Sequence, residues 1–300
     1  MAATPLPALA DDPLAAPRAR AHGVRALPPT LLVGSAMLAI YVLVALTARF
    51  WAPYSYGQIA TGIPLSPPSP GHLFGVDQLG RDTFSRVVLG TDKELFLALT
   101  SAFIAMILGG GLGLLSGLVG GWLDELVTRL IDLFISIPIL IFALLIITAA
   151  GPELSGSLIL LVIVVALVYL PRIARMARAV AIDLTTRDFV TIARARGESV
   201  WSLVWREFTP NATGVLLVEF GVRAGWAPIL IGTLGFLGFG VRPPLPEWGV
   251  MISENRNAIA VAPLAVLAPM IALSGLVIGL NFFTDGLARA LGRSIQRSLV

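Results

Sequence analysis

The chain alternates between long uncharged apolar runs and short segments that collect its charge. The uncharged runs fall at 31–48, 95–123, 133–152, 154–171, 224–241 and 257–284. A helix crossing the roughly 30 Å hydrocarbon core needs about 20 mostly apolar residues. Lipid satisfies no backbone polar group, so these crossings must be helical. The fifth run can be framed in two ways. The frame 224–241 ends on Gly232, Gly235, Gly238 and Gly240 and leads into Pro243-Pro244. A frame at about 212–232 accepts Glu219 and Arg223 inside the span and leaves the glycine-rich stretch as a loop or re-entrant turn, where Gly and Pro belong. The second frame is preferred. The pattern predicts an all-α membrane protein with six transmembrane helices at about 31–50, 95–121, 127–150, 155–179, 212–233 and 262–285. A polar, Ala/Pro-rich stretch, 1–30, precedes them and reads as a disordered cytoplasmic tail.

Composition supports this class. Of the 300 residues, 56% are apolar and 13% are charged, against about 25% charged in soluble domains. Mean hydropathy is +0.87. A water-facing globule of this size could not be covered, so a soluble enzyme is excluded. The absence of Cys removes disulfides and thiolate metal sites, and two His, at 22 and 72, exclude H-E-x-x-H. The single lysine, Lys93, follows Thr91-Asp92, so the chain has no glycine-lysine phosphate loop of its own.

Orientation follows from Arg and Lys beside the spans. With the N-terminus inside, fourteen of the 21 basic residues lie on cytoplasmic segments and six outside, with Arg223 inside a span. Both termini are therefore expected in the cytoplasm. Trp51 and Tyr54 sit where an interfacial aromatic belt belongs. The second span carries Gly109, Gly113, Gly117 and Gly121 at a four-residue period, which predicts close approach of another helix.

The largest cytoplasmic connection, about 172–212, contains seven arginines. Within the segment 183–210 it reads as a helix at 188–196, a break at Gly197, an amphipathic turn with Val200, Trp201, Val204, Trp205 and Phe208, and a stop at Pro210. Exposed apolar residues on such a unit need either a lipid surface or a groove in another protein.

The spacing of Ala193, Gly197 and Pro210 resembles the E-A-A-x-x-x-G-x9-I-x-L-P loop of ATP-binding-cassette (ABC) importer permeases, with Thr191 and Ile192 in place of the usual Glu and Ala. Two further stretches are similar to the second permease of dipeptide, oligopeptide and nickel importers: His72–Gly90, which carries F-G-V-D-Q-L-G-R-D, and Gly235–Asn257, which carries F-L-G-F-G-V-R-P-P-L-P-E-W-G. Asn281–Leu287 resembles the N-x-x-G-D-x-L close of that subfamily. The resemblance runs from about 31 to 292. It implies a type I importer permease fold in the bacterial inner membrane, with cytoplasmic coupling helices. It implies a homologous permease, two cytoplasmic ATPases and an extracytoplasmic solute-binding protein as partners, with membrane lipid and no nucleic acid. ATP and Mg would sit on the ATPase chains, and this chain would hold no cofactor and no metal. The residues implied in ATPase docking are Asp188, Ala193, Arg194, Gly197, Trp201 and Pro210. Peptide is the implied cargo, with nickel or haem-type cargo as alternatives. The subfamily often has an acid where Ile231 stands. An ion-coupled carrier or channel is the rival from another class, and it would need intramembrane carboxylates. An intramembrane enzyme lacks support, with no His inside a span.

Several charges invite function. Glu219 and Arg223, four apart, share a helix face; they either line a translocation path, pair structurally at a seam, or sit at an interface. Arg129 and Asp132 are expected to neutralise each other. Pro138 predicts a kink, whereas Pro171, Pro263 and Pro269 read as span boundaries. Asp77, Arg81 and Asp82 are expected to fix the shape of their loop, with His72 a loop residue and not a metal ligand.

Overall fold

The structure, a computed structural model, describes residues 28–298, with side chains through Leu291. The expected tail at 1–30 lies almost wholly outside the described residues. The described chain is nearly all helical, with only isolated bridges at Ser69–His72 and Val76–Asp82. The helices are α1 (Pro29–Trp51), α2 (Thr83–Val119), α3 (Gly121–Ser136), α4 (Ile139–Ala149), α5 (Leu158–Thr185), α6 (Asp188–Ala195), α7 (Val200–Ser202), α8 (Thr209–Phe236), α9 (Trp248–Asn255) and α10 (Pro263–Ser298). A π-helical turn, Leu203–Phe208, joins α7 to α8 without a break. Five described helical stretches are long and apolar enough to cross a membrane. The bent pair α3–α4 would make a sixth if it is one span.

Helix ends follow local chemistry. Asp82 caps α2 by accepting the Ser85 N–H at 2.7 Å, and Ser157 caps α5 through Leu160 N–H, each satisfying an orphan donor of the first turn. Pro138 does more than kink its helix: α3 and α4 meet at 99°. Pro171 and Pro269 are not boundaries, since α5 and α10 run through them; packed neighbours tolerate proline in such helices. Pro210 does not stop its helix either. It lies in the first turn of α8, directly after the widened π turn. A proline lacks the N–H that an α-helix would direct to the carbonyl four residues back. The fifth span also extends beyond its expected end. Gly232 and Gly235 are helical, and only Gly238, at φ +91°, and Gly240 fall in the following loop.

The strongest packing is between α2 and α5, with α1 against α10 and α8 against α10 and α2. The α2–α5 seam explains the glycine period. A Cβ at Gly109 would stand 2.6 Å from the Leu170 carbonyl, and Cβ atoms at Gly113 and Gly117 would meet Ala177 and Ala181 at 2.8 and 2.7 Å. Gly121 faces nothing, because it opens α3 instead.

The expected Arg129–Asp132 pair is not formed. Arg129 pairs with Glu125 at 2.5 Å, one full turn away, and Asp132 takes Arg175 of α5. The i,i+4 spacing aligns side chains well, and α5 lies alongside α3 to claim the remaining carboxylate.

Candidate functional site: the cytoplasmic elbow and the charged α5–α8 seam

The segment from Asp188 to Phe208 folds as an elbow on the ends of α2 and α5. Val190 and Ala193 of α6, with Leu203, Val204 and Phe208, bury against Leu114, Leu118, Ala177, Ala181 and Leu184. Ala193 is fully buried, so it anchors the elbow from inside. Arg194 donates to the Leu118 carbonyl at 3.1 Å and fastens α6 to the end of α2. Gly197 turns the chain at φ +80°, in the left-handed region that suits glycine. Ser199 then caps α7 by accepting from Ser202 N–H. The Ser202 hydroxyl, then Arg196, hold the Glu198 carboxyl below its usual range. Asp188 and Pro210 are exposed.

The elbow's other face is apolar and open. Ile192, Val200, Trp201 and Trp205 are all exposed, the two tryptophans by 63% and 66%. Of the six residues singled out from sequence, Trp201 lies on this face, Ala193 and Arg194 hold the elbow to the bundle, and Gly197 shapes it. Ile192 and Trp205 add to the face; their amphipathic spacing with Trp201 was the available signal.

The second charged locus lies where α5 meets α8. Arg223 Nε donates to Glu219 Oε1 at 2.7 Å, and a second guanidinium N–H reaches the same oxygen. The Arg223 guanidinium carbon stands 5.9 Å from the Tyr169 ring centroid, a cation–π approach. Arg172, one turn along α5 from Tyr169, lies within electrostatic reach of both. The sequence counts Arg172 with the cytoplasmic charges yet frames the fourth span to 179; helix α5 runs through both and carries Arg172 within reach of Arg223.

A third polar cluster braces the loop before α2. Asp77 accepts from Arg81 Nε at 2.6 Å, Arg86 Nη1 at 3.0 Å and the backbone N–H groups of Leu79 and Arg81. Glu254 of α9 pairs with Arg81 at 2.5 Å, and burial raises the Glu254 carboxyl despite that arginine. His72 is held by Asp82 at 2.9 Å and by the Thr61 carbonyl. Asp77, Arg81 and Asp82 thus shape the loop. Nearby, Glu247 caps α9 through Gly249 and Val250 N–H and faces Glu94 of α2.

Taken together, a polytopic apolar helical bundle with an open amphipathic elbow and a charged α5–α8 seam is the build of a membrane-embedded protein. The model of the family described as "binding-protein-dependent transport system inner membrane component" matches residues 109–297, and the chain belongs to that family. It is therefore a multi-pass inner-membrane transport subunit, the permease of an ABC-type system. It is similar to the dipeptide transport system permease protein DppC of Alkalihalophilus pseudofirmus, at 34% identity over 87% of this chain and 84% of that one. It is similar to the glutathione transport system permease protein GsiD of Pectobacterium atrosepticum, at 32% over 86% of each. It is also similar to the probable D,D-dipeptide transport system permease protein DdpC of Escherichia coli, at 33% over 86% of this chain and 85% of that one.

Proposed function

We propose that this chain forms half of the translocation pathway of an ATP-driven importer of short peptides. A homologous permease supplies the other half. Two cytoplasmic ATPases bind ATP and Mg, and an extracytoplasmic solute-binding protein delivers cargo. Both termini lie in the cytoplasm. This chain contributes no bond chemistry. It offers two packings of its helices, each favoured by a different ATPase state.

The observation that carries the reading is the elbow. Its inner face is buried on α2 and α5, while Ile192, Val200, Trp201 and Trp205 face outward. An apolar helical face of this kind suits the groove of a partner protein. The elbow continues directly into α8, so a push on it reaches Glu219 and Arg223, which we place on the translocation path. Peptide cargo is supported by the dipeptide and glutathione systems named for the relatives.

The test is co-purification and reconstitution. Detergent extracts should yield this chain with a sister permease and two ATPases, and ATP-dependent dipeptide uptake in vesicles should require the binding protein. A chain that transports alone would overturn the reading.

A further inference from the structure

Along α5 three arginines follow at three-residue steps, and they are not treated alike. Arg178 makes a bidentate pair with Asp124, at 2.5 and 2.7 Å. Arg175 pairs with Asp132. Arg172, half-buried, has no carboxylate among the described residues. Its one hydrogen bond among the described residues is to the Val168 carbonyl, at 3.4 Å. Its charged neighbours are the guanidiniums of Arg223 and Arg175.

Depth along the helices weighs against the simplest partner, a lipid phosphate. The loop before α5 and the loop after α8 are bonded, Arg242 N–H to the Gly156 carbonyl at 2.9 Å and the Arg242 side chain to Pro152. The start of α5 and the end of α8 therefore lie on one side. At about 1.5 Å per residue, Arg172 is about 21 Å from Leu158 and Arg223 about 20 Å from Phe236. Both are thus about equally far from the shared end, which for spans starting there is about two-thirds of the way across a roughly 30 Å core. Arg172 also reaches back toward Val168, away from the nearer headgroup layer.

The local inventory is rich in donors. Arg172 offers nearly all its N–H groups, and the Tyr169 hydroxyl has no hydrogen-bond partner among the described residues. Arg223 uses only one edge on Glu219. Two guanidiniums and one carboxylate leave one net positive charge, and an unpaired charge at this depth is costly. A single planar, monovalent carboxylate fits: it neutralises the charge and takes a guanidinium fork. Glu219 Oε2 accepts from no described residue and can receive an ammonium.

We propose that Arg172, Tyr169 and Arg223 form a binding station for the carboxylate of the transported solute, midway along the α5–α8 seam, with Glu219 Oε2 facing its ammonium. The proposal rests on the peptide-importer reading and names a specific grip within it.

The test uses the full complex in proteoliposomes with radiolabelled dialanine, and the purified permease pair titrated with dialanine or its C-terminal amide. Charged hydrogen bonds of this kind contribute enough that Arg172→Gln should lower kcat/KM for uptake by about tenfold or more. Arg172→Lys should restore part of it. Dialanine should protect the permease pair against thermal unfolding, the amide should not, and Arg172→Gln should abolish the protection. Should Arg172→Gln fail to fold, Tyr169→Phe keeps shape and charge and should still raise KM. Equal protection by acid and amide overturns the proposal, as does undiminished uptake by Arg172→Gln. Loss of the sister permease or of a co-purifying anionic lipid from Arg172→Gln also overturns it, because the charge then serves that contact. Wild-type complex that fails to import dialanine at all refutes the importer reading instead, so the two failures are distinct.

Discussion

Trp248 donates its backbone N–H to Glu94 Oε1 at 2.8 Å, joining residues 154 positions apart. The same tryptophan donates its indole N–H to the Val87 carbonyl at 3.1 Å and meets Tyr41 edge-on. One fully buried side chain thus ties α9 to α2 and α1. Trp248→Phe removes the indole donor from the Val87 carbonyl, which keeps the Thr91 hydroxyl at 3.3 Å, and should cost about 0.5–1.5 kcal/mol for the lost hydrogen bond. Thermal unfolding in detergent will show it as a lowered Tm; an unchanged Tm would remove Trp248 from its role as a tie.

The Glu94 carboxyl also faces Glu247, and Glu94 Oε2 has no donor among the described residues. The pair is satisfied only with one proton between the two carboxyls. Burial, then the facing Glu94, hold Glu247 well above the usual carboxylate range, against the pull of the Gly249 and Val250 N–H groups. A raised folded-state value gives stability that is complete below the ordinary carboxylate value, about 4.3, and is lost as pH rises through the folded value. Wild-type Tm should therefore fall with rising pH. In Glu94→Gln the amide donates to Glu247 at every pH and still accepts from Trp248, so its profile should be flatter. Parallel profiles would refute the shared proton.

The glycine seam makes opposite predictions for neighbouring positions. Gly113→Ala forces a methyl into the Ala174 carbonyl and Ala177, an overpacking worth about 1–3 kcal/mol. Gly111→Ala points into open space and should be neutral or stabilising by up to about 1 kcal/mol through helix propensity. Melting both variants side by side checks the claim.

Docking is best probed from the exposed face, since Ala193 is buried and any change there damages the elbow itself. Ile192→Glu with Trp201→Ala should leave insertion intact and stability within about 0.5 kcal/mol of wild type, as surface changes do. Coupled uptake should fall at least about tenfold, matching loss of an anchor worth about 1.4 kcal/mol or more. Full uptake in this double variant would place the ATPase elsewhere.

Asp77 holds two buried guanidiniums and two backbone N–H groups. Asp77→Asn strips the charge from under Arg81 and Arg86, and breaking a buried pair in this way costs about 3–5 kcal/mol. Limited proteolysis of the loop before α2 should accelerate in this variant.

The helical membrane class was legible because charge is nearly absent from long runs, and periodic glycines announced the α2–α5 contact. Pro138 announced a departure from straightness but not its right-angled extent, which neighbouring helices decide. Partner choice among charges was not legible. Asp132 stands three residues from Arg129, yet Arg175 claims it from another helix. Arg172 falls inside the span expected at 155–179 and also among the cytoplasmic charges, so sequence alone does not fix its surroundings. Its isolation emerges only once Asp124 and Asp132 are seen to be taken. Of the docking residues, Trp201 could be placed from amphipathic spacing, whereas the inward turn of Ala193 needed the surface it packs on.

Val200 to Phe236 is a single uninterrupted helical stretch of 37 residues, about 55 Å from end to end. A displacement of its foot at Trp201 is carried along one continuous helix to Arg223, through the π turn at Leu203–Phe208 and past Pro210. In the proposed importer, force and cargo contact would share one helix.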